Sequence, residues 1–297
     1  MRSFMSSFAE FAIRSSGFKK RVGNPVKREK YFNSLRKKSK KSFTVSPYPY
    51  RSKVNKERAF GVELVTFNKG RKKKIIYLHG GAFCEPPRIL HLTCCDNISA
   101  HTDYEIIFPI YKRAPESTFE GTFDFLEKFY KKLLEKTKPE NLVFMGDSSG
   151  GGLALSFAEY LKQKKLPQPK RIIMLSPWLD LSMEKPFLPE LDKLDPNLQH
   201  GFLKAAGKYW AGETDLHDYR LSPIYGDFTQ LAPMTLFTGT HEAFLTDSRR
   251  FKKECDNKGI NLDYREWEGM NHVFVVYPIP EAKKAQNEII EILNTDD

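Results

Sequence analysis

The chain is poor in cysteine. Its 297 residues hold four, at positions 84, 94, 95 and 255, with no CxxC pair. Neither a disulfide framework nor a cysteine-based zinc site is suggested, and a reducing, cytoplasmic setting fits best. No run of ~18 apolar residues occurs, so no segment reads as a membrane span. The opening MRSFMSSFAEFAIRSSGFKK lacks the unbroken apolar stretch of a signal peptide, because Glu10 and Arg14 interrupt it. Internal repeats are absent, and no histidine pair has metal-ligand spacing, so neither a metal nor another cofactor is expected.

Acidic residues are scarce at one end only. Residues 1 to 58 carry 17 Lys and Arg against Glu10, Glu29 and Glu57, a net charge of +14, whereas the whole chain carries +11. The remaining residues are therefore nearly neutral, at about −3, and the basicity belongs to an N-terminal segment rather than to a groove through the fold. RKKSKK has no interleaved aromatics, and no nucleic-acid partner is expected. Phe4, Phe8 and Phe11 beside Arg14, Lys19, Lys20 and Arg21 have the pattern of a basic amphipathic helix. A membrane-surface binding module acting through residues 1 to 30 is thus one reading. A solvated basic face on a helix that covers a site explains the same residues more simply.

What is abundant is apolar and aromatic content, 40% and 13% of the chain, enough for a large core. From Phe60 onward short β-rich runs alternate with helical patterns, the rhythm of a mostly parallel sheet covered by helices. Strands are expected at Val62 to Phe67, Lys74 to Leu78, Glu105 to Tyr111, Leu142 to Gly146, Arg171 to Leu175, Thr235 to Gly239 and Leu262 to Trp267. Runs such as IIYL and RIIML are continuously apolar, as strands buried on both faces should be. Apolar residues recur at helical spacing from Phe119 to Leu133, Leu153 to Leu161, Phe244 to Cys255 and Ala285 to Leu293.

The fold class is therefore α/β, a mostly parallel sheet of about eight strands with helices on both faces. Residues 1 to 58 and about 180 to 223 break the rhythm. Both are expected to form a helical cap over the carboxyl ends of the strands, leaving 59 to 297 as the catalytic domain with one insertion.

Gly146-Asp147-Ser148-Ser149-Gly150 follows the apolar run LVFM and precedes a helical pattern. A nucleophile on a sharp strand-to-helix turn needs small neighbours, and the helix N-terminus behind it favours developing negative charge. A bare GxSxG arises by chance in about one chain in ten of this length, so its position after a buried strand is what makes Ser148 the candidate. His79-Gly80-Gly81-Ala82-Phe83 also ends a strand. A Gly-Gly pair lets main-chain N–H groups approach a substrate oxyanion, so Gly80 and Gly81, with the amide of Ser149, are the expected donors.

The base should come late in the chain, and His272 lies five residues after the strand expected to end at Trp267. His91, His101, His200 and His217 read instead as surface or core-edge residues. The orienting acid should follow the preceding strand, where Glu242 stands near the strand end and Asp247 about a turn into the next helix. Glu242 is preferred and Asp247 is the alternative. Phe83, Trp178 and Trp210 could line a pocket, but read more simply as core.

HGGAF, YKRAPE, GDSSGGG, LSPWLDLS and EGMNHVF, in this order, resemble the hormone-sensitive-lipase-like branch of α/β-hydrolases, the fold-3 family of carboxylesterases. The likeness runs from about Gly61 to Leu293. It implies Ser148 as nucleophile, His272 as base, oxyanion donors at Gly80, Gly81 and Ser149, and a cap built from an N-terminal segment and an insertion. Four positions depart from the family pattern: Glu242 for the usual Asp, Ala82 for the third glycine of HGGG, Ser149 for an alanine, and Arg113 for an apolar residue. The expected activity is hydrolysis of short- to medium-chain carboxylic esters through an acyl-enzyme. An amidase or peptidase on the same fold is the alternative, since the triad chemistry is shared. The partner is a small-molecule ester, and oligomeric state is not legible.

Overall fold

The computed structural model describes residues 2–39 and 41–295. Its sheet is built from β1 (Val54–Ala59), β2 (Val62–Phe67), β3 (Lys73–Leu78), β4 (Tyr104–Ile110), β5 (Leu142–Asp147), β6 (Arg171–Leu175), β7 (Met234–His241) and β8 (Leu262–Asn271). The spatial order is β1-β2-β4-β3-β5-β6-β7-β8. β1 and β2 are antiparallel to their neighbours, and every pairing from β4 to β8 is parallel. The central strands β3 and β5 are the continuously apolar ones, and their distal residues are fully buried.

The helices are α1 (Phe4–Ser15), α2 (Phe18–Gly23), α3 (Pro25–Ser39), α4 (Ile89–Ala100), α5 (Phe119–Leu134), α6 (Ser149–Gln163), α7 (Pro189–Leu194), α8 (His200–Ala211), α9 (Leu245–Asn257) and α10 (Pro280–Asn294). One sheet face is covered by α5, α6 and α9 through Phe123, Phe157 and Phe251, the other by α4 and α10 through Leu92, Ile98 and Ile289. This leaves the carboxyl ends of β3, β5, β7 and β8 converging on one edge, where the chain turns into loops.

Two elements differ from the expected pattern for physical reasons. β1, VNKERA, begins within residues 1 to 58 yet pairs along its whole length with β2, so residues 54 to 58 belong to the sheet and not to an appendage. It is a half-solvated edge strand and therefore shows no apolar run. α4 is buried around most of its circumference, so its sequence carries no helical apolar stripe. β8 also continues past Trp267 to Asn271, with a bulge opposite Gly239 to His241, and thus delivers His272 directly.

Helices from the two irregular stretches pack on each other. Phe32 stacks on Phe202 at 5.2 Å and meets Tyr209 at 5.0 Å, while Phe18 meets Phe202 edge-on at 5.9 Å. Each such pair adds ~0.5–1.5 kcal/mol beyond its area. Val22 and Leu35 complete this small core with exposures of 0% and 3%. The four cysteines are buried thiols. No helix among the described residues is long and apolar enough to cross a membrane.

Candidate active site

Ser148 sits between β5 and α6 with φ 52° and ψ −122°, a strained conformation for a residue with a side chain. The turn is pinned by Ser148 N donating to Leu175 O (2.8 Å) and by Trp178 N and Gly152 N donating to Ser148 O (2.9 and 3.1 Å). A Cβ on Gly146 would collide with Gly150 O, and one on Gly150 with Leu78 O, so both flanking glycines are required by backbone contact.

His272 Nε2 lies 2.9 Å from Ser148 Oγ, across 124 positions of sequence. Its Nδ1 faces Glu242 Oε2 at 3.6 Å and makes no hydrogen bond among the described residues. Glu242 is fully buried and held at both oxygens: Thr238 Oγ1 donates to Oε1 (2.9 Å) and Ser176 Oγ to Oε2 (2.6 Å). Ser176 in turn accepts from Val273 N (3.0 Å), which couples the acid to the histidine loop. Asp247 points elsewhere, into a separate cavity with Asp180, Tyr225 and Arg250. Burial, and then the Asp180 carboxylate, push it up to about 7.

The HGGAF loop requires a correction. Gly80 N donates to Asp147 Oδ1 (3.0 Å), and a Cβ there would run into Asp147 Oδ2, so Gly80 is packed against Asp147 and Ser148 with its amide engaged. Gly81 and Ala82 line the cavity beside Ser148 and His272 instead. Three successive positive φ values, 116°, 51° and 58° at Gly81, Ala82 and Phe83, turn the loop sharply beside Ser148. Ser149 is fully buried at the first turn of α6, directly after Ser148, and its Oγ accepts from Phe83 N (3.2 Å).

Asp147 is the hub of this packing. Tyr77 Oη donates to it at 2.9 Å, and His91 Nε2 lies 3.3 Å from its Oδ2. Arg88 N donates to His91 Nδ1 (2.9 Å), so His91 bears its proton on Nε2 and directs it at the carboxylate. Burial pushes Asp147 up, but His91, Gly80 N–H and Tyr77 outweigh it and hold the carboxyl below its usual value. His91 is thus buried on the cavity wall rather than at the core edge.

His79, the first residue of the loop, stacks on Tyr111 at 4.4 Å and donates from Nδ1 to Gly80 O (2.7 Å). Burial, then Arg113 and His91, lower it to about 3, so it is a neutral structural ring. Phe83 and Trp210 stack at 4.4 Å within the core, with Trp178 beside them.

The cavity has a volume of about 100 Å³ and opens to solvent. Phe18, Leu198, Phe202 and Leu203 line it together with Ser148 and His272. Asp195 joins this apolar wall to the loop after β7. It is fully buried, and its carboxylate accepts from Asn197 N, Leu198 N and Ala243 N, each at 2.8 Å. Ala243 is the residue after Glu242. Burial raises Asp195 above the usual carboxylate value, against the pull of His272 and of these amides. Sequence reasoning missed Asp195, Ser176 and His91. Only Asp195, in an Asp-Pro-Asn turn, carried a local signal. Among the described residues no cluster of His, Cys, Asp and Glu is arranged to hold a metal.

Residues 75–276 match the family described as alpha/beta hydrolase fold. The chain belongs to that family. It is 30% identical over 227 residues to an esterase of Acinetobacter venetianus, covering 75% of each chain. Likewise it is 28% identical to an acetyl-hydrolase of Streptomyces hygroscopicus, covering 72% of each. An esterase of the bacterial hormone-sensitive lipase family superposes with a TM-score of 0.83 over 100% of this chain and 99% of that one, at 22% identity, a likeness of fold.

Proposed function

We propose that the protein is a serine carboxylesterase in which Ser148, His272 and Glu242 act as nucleophile, base and orienting acid. Hydrolysis of carboxylic esters is the activity that family membership and the esterase relatives support. The single observation that carries the mechanism is the 2.9 Å contact between Ser148 Oγ and His272 Nε2 at a strained elbow.

Ser148 Oγ attacks the ester carbonyl as its proton passes to His272 Nε2. The imidazolium so formed carries its second proton on Nδ1, facing Glu242, and a contact of 3.6 Å shortens as charge develops. The oxyanion meets the amides of Gly81, Ala82 and Ser149; each such donor is worth about 10²–10³ in kcat. His272 gives its proton to the leaving alcohol as the ester C–O bond breaks; it then takes a proton from a water that attacks the acyl carbonyl and returns it to Ser148 Oγ as the acyl–Oγ bond breaks and the acid leaves. The α2 and α8 residues over the cavity act as a cap, and its apolar lining favours short to medium acyl chains.

Hydrolysis of p-nitrophenyl esters from acetate to palmitate, with a matched anilide, tests the proposal. A maximum at the short end and a much slower anilide are expected. A rate on the anilide equal to that on the ester would move the assignment to an amidase.

A further inference from the structure

We infer that α1 is a docking surface for an anionic lipid surface, seated at the mouth of the catalytic cavity. The helix is amphipathic in the reverse sense. Phe4, Phe8 and Phe11, spaced four and three apart on one stripe, are 85%, 62% and 65% exposed, with Met5 beside them. The polar residues face the protein instead. Ser3 N and Oγ and Ser6 Oγ all donate to Glu281, and Glu10 pairs with Arg2 at 2.6 Å and lies 3.5 Å from His241. These contacts hold α1 with its aromatic stripe in water.

The apolar surface continues onto the neighbouring helix. Arg14 donates to Leu194 O, and Lys19 pairs with Asp192 at 2.9 Å and donates to Asp195 O at 3.0 Å, so α1 and α2 are tied to α7. Leu188 and Leu194 are themselves exposed. Of the eleven large apolar side chains exposed among the described residues, seven lie on α1, at Val26, or at these two leucines. Scattered exposed residues are ordinary, but a clustered stripe marks an interaction surface.

Charge selects the occupant. The +14 segment that carries the stripe also exposes Lys20, Arg21, Lys27 and Lys30 on the next two helices, whereas the rest of the chain is about −3. Two copies meeting through this face would bring two such segments together, and repulsion opposes that pairing. A layer of anionic headgroups over acyl chains satisfies both charge and aromatic stripe. The position is suited to a lipophilic ester: Phe18, at the start of α2, lines the catalytic cavity, and Met5 borders a cleft formed with Val276 and Tyr277, which also line it.

The test is sedimentation of the full chain with vesicles of phosphatidylcholine alone or mixed with phosphatidylglycerol, using wild type and a Phe4→Ser, Phe8→Ser, Phe11→Ser variant. Wild type is expected to sediment with the phosphatidylglycerol vesicles, and less so as salt rises. The triple variant should partition about tenfold more weakly while hydrolysing soluble p-nitrophenyl acetate at the wild-type rate. Wild type that ignores phosphatidylglycerol, or a variant that sediments equally well, overturns the inference without touching the catalytic assignment. So does a wild type that dimerises in sizing experiments through the same phenylalanines.

Discussion

Glu242 and Asp247 are five positions apart, yet their surroundings assign them different work. Glu242 is locked by Thr238 and Ser176 within reach of His272, whereas Asp247 sits with Asp180 in another cavity. Glu242→Ala is therefore expected to lower kcat by about 10²–10⁴, and Asp247→Ala by less than about threefold, measured on p-nitrophenyl butyrate. A loss confined to Asp247→Ala would reassign the acid. His79 makes a separate prediction in pH. Its folded pKa of about 3 lies below the value of about 6.5 in an unfolded chain, so the unfolded state binds more protons between them. The stability this ring confers is complete above about pH 6.5 and is lost as pH falls toward about 3. Urea midpoints taken at neutral and mildly acidic pH should fall less steeply for His79→Phe than for wild type; parallel slopes would contradict the neutral-ring assignment.

Elements position these residues with unequal visibility in the sequence. The strand β5, the elbow and α6 were legible because an apolar run meets a glycine-flanked serine, two local signals that agree. The end of β8 was not: Gly269, at φ 72°, reads as a strand terminator, but the strand passes through it to Asn271. β1 was hidden by its polar edge and α4 by its all-round burial. Gly80 and Gly81 look equivalent in HGGAF, and only the Asp147 carboxylate across the turn separates an engaged amide from one at the cavity. The turn after α7 is the clearest case of function placed by packing. Asp195 reaches from it to Ala243 N, and so steadies the loop that presents Glu242. Asp195→Ala should reduce kcat by about 10²-fold with KM changed far less, because a displacement near 1 Å at the acid misaligns His272. A loss of thermal stability with kcat unchanged at low temperature would make it merely structural.

On the scale of the whole molecule, the candidate site lies at the carboxyl edge of the sheet, with Phe18 of α2 and Phe202 and Leu203 of α8 on its cavity wall. Composition revealed the charge asymmetry and, through it, the separate character of the N-terminal segment. It did not reveal which way α1 faces, because an amphipathic pattern is the same whether its apolar side is turned in or out. The tertiary bonds to Glu281 decide that orientation. The central claim, that this edge is a serine esterase, is tested most directly by hydrolysis of p-nitrophenyl butyrate by wild type and Ser148→Ala under identical conditions. The variant is expected to retain the fold, by circular dichroism, and to lose about 10⁴-fold or more of the rate. A folded Ser148→Ala protein that hydrolyses the ester at the wild-type rate would contradict the account.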